Sequence, residues 1–358
     1  MEITYKNEPQ KTLDDWTGGT IIKPFNWRAY NNSQTREKIM FLELLNDLCK
    51  LLDEDEYFGT GRKPQSLSHK IFCICLKEYT GTSSRRLISE LEMCKRNHFI
   101  ESLPHFNTVL NYLNNSKVKL SLTYLIQLSA LPLVQLEDKF AVDSTGFSER
   151  RYLEKWSSIR QKYHLHRQYR KAHCIYGVYS NAVVSCIVTA GTEHDSPRFK
   201  ELLNNASKNF QIEEVSADLG YSSRENMKYA ESLGITPFIP FKKNAKGTSM
   251  GAKIWNKMYK YFKNNKEDFL KHYHQRSNSE SGFYMIKSRF GEFVKTRTDL
   301  SQNNEILAKI LCHNICVLIQ EIYLSNLEVD FIECAKKYIP MNYPNIEKMN
   351  KNSVFDVV

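Results

Sequence analysis

Apolar residues beyond position 38 return at helical spacing. Ile39, Met40, Leu42, Leu44, Leu45, Leu48 and Leu51 predict a helix starting near Ser33 and ending before the acidic run Asp53-Glu54-Asp55-Glu56 and Gly59. Carboxylates suit a helix N-terminus better than a C-terminus, so that run is assigned to a linker. Residues 1–32 mix polar and aromatic positions around Gly18-Gly19 and Pro24, and are expected to form an extended arm. After the basic turn Gly61-Arg62-Lys63-Pro64, three helical segments are predicted at 66–79, 83–94 and from 107 to 113 onward, punctuated by Gly81 and Pro104. Thr82 and Ser83 are their plausible caps. Segment 116–133, with Val118, Leu120, Leu122, Leu125, Ile126, Leu128 and Leu131, predicts a further buried helix.

Beyond Pro132 the period changes. Phe140-Ala141-Val142 predicts a short strand running into Asp143-Ser144-Thr145-Gly146. Residues 173–179 and 182–189 read as a β-hairpin turning at Ser180-Asn181. Ser196-Pro197 opens a helix, 212–217 is a strand ending at Asp218, Ser222 opens another helix, and 235–240 is a fifth strand. Strand, hairpin, helix, strand, helix, strand describes an α/β protein with a ribonuclease-H-like mixed sheet flanked by helices. A doubly wound dinucleotide fold would need parallel strands from the start and a glycine-rich first turn. The apolar segment 305–323 reads as a core helix, with Cys312 and His313 as packing residues, and the remainder as a tail.

Composition narrows the partner class. The 358 residues are 41% hydrophobic and 25% charged, as in ordinary globular chains. No run of about 18 apolar residues stands out as a membrane span, and the first residues hold no apolar signal core. Nine scattered cysteines without a Cys-x-x-Cys pair argue against a zinc ribbon or disulfide framework and for buried, reduced thiols in a cytoplasmic protein. The net charge of +10 favours a polyanionic partner. Residues 1–135 carry 17 Lys and Arg against 15 Asp and Glu, so the excess lies later. Residues 149–171 hold eight basic side chains, among them Arg167, Arg170 and Lys171, interleaved with Tyr152, Trp156, Tyr163 and Tyr169, a pattern that suits nucleic acid. A second lysine-rich stretch, 241–272, includes Lys242, Lys243 and Trp255 and has a helical pattern.

Candidate chemistry rests on three carboxylates. Asp143 and Asp218 each follow a predicted strand, and each is followed by glycine within three residues. Singly, such an aspartate is more often a turn former. Glu280 lies in a segment where Tyr273, Glu280 and Lys287 are seven apart and Arg276 is four before Glu280, which places a carboxylate among a phenol, a guanidinium and an ammonium on one helical face. A bland alternative exists: Ser277-x-x-Glu280 fits a helix capping box. Two aspartates at strand ends tilt the choice toward an ion site. Three hard oxygen ligands point to Mg²⁺ or Mn²⁺, and two such ions support in-line phosphoryl displacement.

Asp143 in Val-Asp-Ser-Thr-Gly, Asp218 in Ala-Asp-Leu-Gly-Tyr and the Tyr273-x2-Arg276-x3-Glu280-x6-Lys287 pattern resemble the DDE transposases of bacterial and archaeal insertion sequences, in the group with a Y-R-E-K signature. Gly191-Thr-Glu-His194-Asp195-Ser196 and Lys171-Ala-His173 are similar to that family's strand and loop motifs. The resemblance spans about 138–323 and implies an enzyme that binds the inverted repeats of its element, exposes 3′-hydroxyl ends and joins them to target DNA. It implies that Asp143 bridges two ions, that Asp218 and Glu280 each complete one side, that Arg276 and Lys287 contact phosphates and that Tyr273 assists. Trp255 is a candidate to stack on an everted base, against the plainer reading of a core residue. The implied partners are double-stranded DNA, as transposon ends and target, and a second copy of the chain, at the nucleoid with no membrane. The implied organisation is an arm and helix (1–60), a helical DNA-binding domain (61–135), whose short helices and turns suit a helix-turn-helix or a plain bundle, a catalytic domain (136–325) and a tail (326–358). A DNA-binding regulator without catalysis and a structure-specific nuclease without strand transfer are the alternatives.

Overall fold

The computed structural model describes residues 26–52, 60–61, 63–149 and 169–338. The acidic run, most of the arm, the tail beyond 338 and the basic segment 150–168, with Arg167, lie outside the described residues. Where the arm was expected to continue, Asn26 caps a helix by accepting the Ala29 N–H through its Oδ1 at 3.0 Å, and α1 runs Trp27–Lys50. Serines begin the next two helices in the same way. Ser66 caps α2 (Leu67–Thr80), which ends at left-handed Gly81, and Ser83 caps α3 (Ser84–Arg96). α4 (Phe106–Tyr112) and α5 (Ser116–Ala130) complete the helical layer.

The first strand is longer than its apolar core. β1 spans Lys139–Glu149, so Asp143 lies within the strand rather than after it, a correction to the expectation. The polar Asp-Ser-Thr-Gly run has the chemistry of a turn, but β2 (Tyr169–Gly177) pairs antiparallel along its whole length, from Phe140↔Gly177 to Ser148↔Tyr169. β3 (Val183–Ala190) closes the hairpin over Asn181, at φ 63°. α6 (Arg198–Ser207), β4 (Glu214–Ala217), α7 (Arg224–Ser232) and β5 (Thr236–Phe238) follow in the expected order. The 241–272 stretch forms helices α8 (Lys253–Asn264) and α9 (Lys266–Tyr273), then α10 (Ser277–Phe290), a short β6 (Phe293–Val294), α11 (Asp299–Leu324) and α12 (Phe331–Tyr338). The strand order is β3-β2-β1-β4-β5, with β6 beside the far end of β1. Pairings with β2 are antiparallel, and those of β4 with β1 and β5 are parallel. The result is the mixed, helix-flanked sheet of the ribonuclease-H type.

Period-2 alternation divides the sheet between two cores. Phe140, Val142, Ile175 and Val184 pack with α6, α7 and α8, whereas Ala172, Cys174, Tyr176 and Val183 face the core that holds α10 and α11. That second core also contains Phe41, Ile71, Leu87 and Leu122 of the N-terminal helices, so the helical layer and the sheet are packed together by α11. α11 begins earlier than expected, behind a Thr298–Ser301 capping box. By length and composition it passes as a bilayer-spanning helix, contrary to the sequence reading, but 83% of its apolar window is buried against the rest of the protein. All nine cysteines are free and eight are buried.

Several buried polar side chains on α11 have specific partners, as burial favours, although the Oδ1 atoms of Asn303 and Asn304 have none among the described residues. Asn314, fully buried, accepts the Val183 N–H at 2.9 Å and donates to the Val183 carbonyl at 2.7 Å and the Ser129 hydroxyl at 2.9 Å. It thereby joins α11 to the edge strand β3 and to α5. Replacing it (Asn314→Ala) leaves a buried backbone donor and acceptor unpaired, each costing about 1–3 kcal/mol. We expect a loss of about 2–4 kcal/mol in chemical denaturation; a loss under about 0.5 kcal/mol contradicts this role.

Candidate active site

The two aspartates are brought together by strand register. β4 pairs with β1 only as far as Val142↔Ala217, so Asp143 and Asp218 are the next residues on adjacent strands. Asp218, exposed, uses its Oδ1 to accept the Leu219 N–H at 2.5 Å. Asp143 has only 17% of its side chain exposed. Its Oδ1 accepts the Ser144 N–H at 2.8 Å, and its Oδ2 lies 3.2 Å from Arg276 Nη1 and 3.3 Å from the Ser279 hydroxyl. Burial raises the Asp143 pKa, and the Asp218 carboxylate adds to this. The Ser144 N–H and Arg276 oppose the rise without cancelling it.

The third carboxylate approaches from α10. The helical path continues from α9 through the 3-10 turn His274–Arg276 into α10. No free helix start therefore exists at Ser277, and the capping-box alternative fails: the Ser277 hydroxyl donates to the His274 carbonyl, and Glu280 reaches back to Arg276 Nη2 at 2.5 Å. Arg276 thus bridges Asp143 and Glu280. Burial works against its charge, but the Glu280 hydrogen bond, with Tyr273, Asp143 and Glu280 nearby, holds its pKa above the usual value. The Tyr273 ring lies 6.0 Å from that guanidinium. Further along the helix, Lys287 donates to the Thr145 hydroxyl at 2.6 Å, and burial lowers its pKa. Asp143, Thr145 and Phe147 share one face of β1, and α10 runs along it. Gly282 permits the close approach, because a Cβ there would lie 2.5 Å from the Tyr176 ring.

On the opposite face of β1, Ser144 points to the 191–196 loop. Asp195 Oδ1 accepts from the Ser144 hydroxyl and the Lys171 ammonium, both at 2.9 Å, and lies 3.3 Å from His173 Nδ1. Burial lowers the His173 pKa to about 4, so its ring is neutral near pH 7 and bonds the Thr189 hydroxyl at 2.9 Å. Lys171 is therefore tied to Asp195 and to the Glu193 carbonyl. Two expected DNA contacts are corrected. Arg170 is buried, with its guanidinium on Gln302 and Asp299, because its place on β2 faces inward. Trp255 is 5% exposed, edge-on to Phe241 and covered by Arg224, with its N–H donated to the Lys246 carbonyl at 2.8 Å. No face of it is left for a base. Lys242 and Lys243 are exposed. Sequence reasoning missed Ser279, whose three-residue spacing from Arg276 was the available signal.

A family model of the transposase DDE domain matches residues 135–315, from four residues before β1 through most of α11. The chain belongs to the DDE transposase family. No curated protein sequence matches it. As a transposase it is an enzyme acting on DNA, and DDE transposase domains generally use divalent metal ions. Among the described residues, no three His, Cys, Asp or Glu side chains stand close enough to hold one ion. The donors nevertheless fit a hard cation: oxygen ligands only, one of them a buried carboxylate beside a second carboxylate, now compensated by a guanidinium.

The raised Asp143 pKa has a stability consequence for this transposase. The folded state holds the proton more tightly than the unfolded chain, so stability falls as pH rises from the unfolded pKa through the folded one, and the penalty is complete above the folded pKa. Asp143→Asn removes the charge while its amide oxygen can still accept the Ser144 N–H. We expect the variant to be more stable than the parent at pH 7, by roughly 0.5–2 kcal/mol. The gap should close below the unfolded aspartate pKa near 3.9. Melting curves across pH measure it, and a variant less stable at pH 7 contradicts this electrostatic account.

Proposed function

We propose that this transposase binds the terminal inverted repeats of an insertion sequence, cleaves DNA to expose 3′-hydroxyl ends and transfers them to target DNA, with Asp143, Asp218 and Glu280 as its catalytic carboxylates. The observation carrying the reading is the Val142↔Ala217 register, which sets two carboxylates side by side under a helix whose Glu280 is one arginine away. Mg²⁺ or Mn²⁺ held by the three carboxylates would activate the attacking water or 3′-hydroxyl and stabilise the leaving oxygen.

The chain's own residues supply the rest. Arg276 exchanges its carboxylate partners for a phosphate of the transposon end, to which its planar guanidinium is well matched. That exchange frees Glu280, 58% exposed at its side chain, to turn toward the aspartates. Lys287, half-buried and bonded to a neutral hydroxyl, contributes a second phosphate contact beside Asp143. Tyr273 orients Arg276. Lys242 and Lys243, on the loop after β5, are assigned to backbone contacts. Pairing of two ends requires at least two copies of the chain on DNA, acting in the cytoplasm at the nucleoid.

The Arg276 bridge also favours one competing reading, a DNA-binding regulator whose carboxylates stay neutralised by arginine. Nicking assays decide. With Mg²⁺ or Mn²⁺, wild type is expected to nick element-end DNA, and Asp143→Asn or Glu280→Gln to lose about a thousandfold or more in rate while retaining end binding. Wild type that never nicks supports the regulator, and full activity in Asp143→Asn removes the catalytic assignment.

A further inference from the structure

We infer that the groove at the far end of β1 is a DNA-binding surface in which Asn107 and Asn111 determine sequence preference and Arg85, Lys295 and Arg297 hold the phosphate backbone. The inference rests on the reading of this chain as acting on DNA, and it assigns the part of the surface that distinguishes one sequence from another. The groove, about 1270 Å³, lies between the α3 N-terminus, α4 and the segment joining β6 to α11. Glu149, the last residue of β1, lines it. Glu149 lies six residues along the strand from Asp143, about 20 Å at about 3.3 Å per residue. At 3.4 Å per nucleotide along one strand, that is roughly six base pairs of duplex. Lys287 on Thr145 stands between the two ends of this track.

The electrostatics of the groove follow from where its acids are engaged. Glu305 is fully buried and accepts the backbone N–H groups of Lys295 and Thr296, each at 3.0 Å. Asp299 is paired with Arg170, and Glu149 accepts from Gln302 at 2.9 Å. Arg85, Lys295 and Arg297 are exposed, and among the described residues none of them pairs with a carboxylate. Arg85 is oriented instead by the face of Phe106, 4.9 Å from its guanidinium carbon. The wall thus presents three cations without a carboxylate partner among the described residues, while its neighbouring acids, the buried Glu305 and the exposed Asp299 among them, are engaged with other groups.

The asparagines supply what cations lack. Asn107 and Asn111 are one turn apart on α4 and exposed, and among the described residues their side-chain amides have no hydrogen-bond partner. An amide offers a donor and an acceptor side by side, the complement of the adenine edge, whereas a phosphate contact carries no sequence information. Val109 and Tyr112 anchor the other face of the helix in the core.

Binding-site selection from a random duplex pool with the full chain, followed by sequencing, tests the assignment. Wild type is expected to enrich a motif. The double variant Asn107→Ala/Asn111→Ala should lose about tenfold or more of the preference at two or three adjacent base pairs, with the rest of the motif kept. Arg85→Ala and Arg297→Ala should weaken binding of all sequences alike and each lower the salt-dependence slope by about one. All four side chains are exposed, so melting curves should match wild type. An unchanged motif in the asparagine variant, or wild type enriching no motif, overturns the inference. The nicking assay is independent: a protein that never nicks, but whose motif depends on the asparagines, loses the strand-transfer reading and keeps this one.

Discussion

One ladder of hydrogen bonds stops where another continues, and the site depends on that step. β4 accompanies β1 through Val142, while β2 accompanies it through Ser148. Asp143 is the first residue past the step. Its backbone is fixed by β2 on one side, and on the other side the sheet opens at the carboxyl end of β4, where Asp218 follows. A strand ending at Val142 would leave Asp143 in a loop, free to relieve the repulsion between two carboxylates by moving away. The continuing antiparallel ladder forbids it. The alternation of the strand then separates two tasks: Asp143 faces α10, and Ser144 faces the Asp195 loop.

Holding that step in place requires both faces of the sheet to be covered. α11 covers one of them while also carrying the N-terminal helices, so one helix belongs to two layers and is buried over most of its length. Three of its buried polar groups are matched to specific partners. Asn314 serves β3 and α5, Glu305 serves the turn before the helix, and Lys309 reaches the Gly291 and Phe293 carbonyls at 3.2 and 2.7 Å. Burying such groups costs less than leaving their partners unpaired, and each match specifies a single register of α11 against the sheet. α10 is positioned by the same core through Phe283, Ile286 and Phe290. The placement of Glu280 near the aspartates therefore depends on this packing as well as on the Arg276 bridge.

The order of elements was legible because periodicity and punctuation agree in this chain: serine caps, Gly81, and the hairpin turn at Asn181 all stand where the pattern changes. Asp143, Asp218, Arg276 and Glu280 were legible as a group for a different reason, the recurrence of a spacing in a helical segment. What failed is local chemistry overruled by distant partners. Asp-Ser-Thr-Gly has turn residues, and only β2 makes it a strand. Ser277-x-x-Glu280 has the letters of a capping box, but the preceding residues already form a helical turn, so its backbone donors need no cap. Arg170 and Trp255 counted toward a basic, aromatic surface in the sequence, yet inward-facing strand position in one and helix packing in the other place them in the interior. Neither orientation can be read from composition.

The Arg276 bridge is the feature on which site and substrate meet. A carboxylate that is largely buried beside another carboxylate needs positive charge, and three sources compete for the role: a proton, a guanidinium or a metal ion. In the protein alone Arg276 supplies it, with one nitrogen near Asp143 and the other on Glu280. A guanidinium is weakly hydrated and matched to planar oxyanions, so a DNA phosphate competes for it on equal terms with a carboxylate. On the proposed reading, the phosphate takes the arginine and leaves the carboxylates short of one positive charge. A divalent ion is the partner that best restores it. Metal affinity would then follow DNA binding because both draw on the same cation.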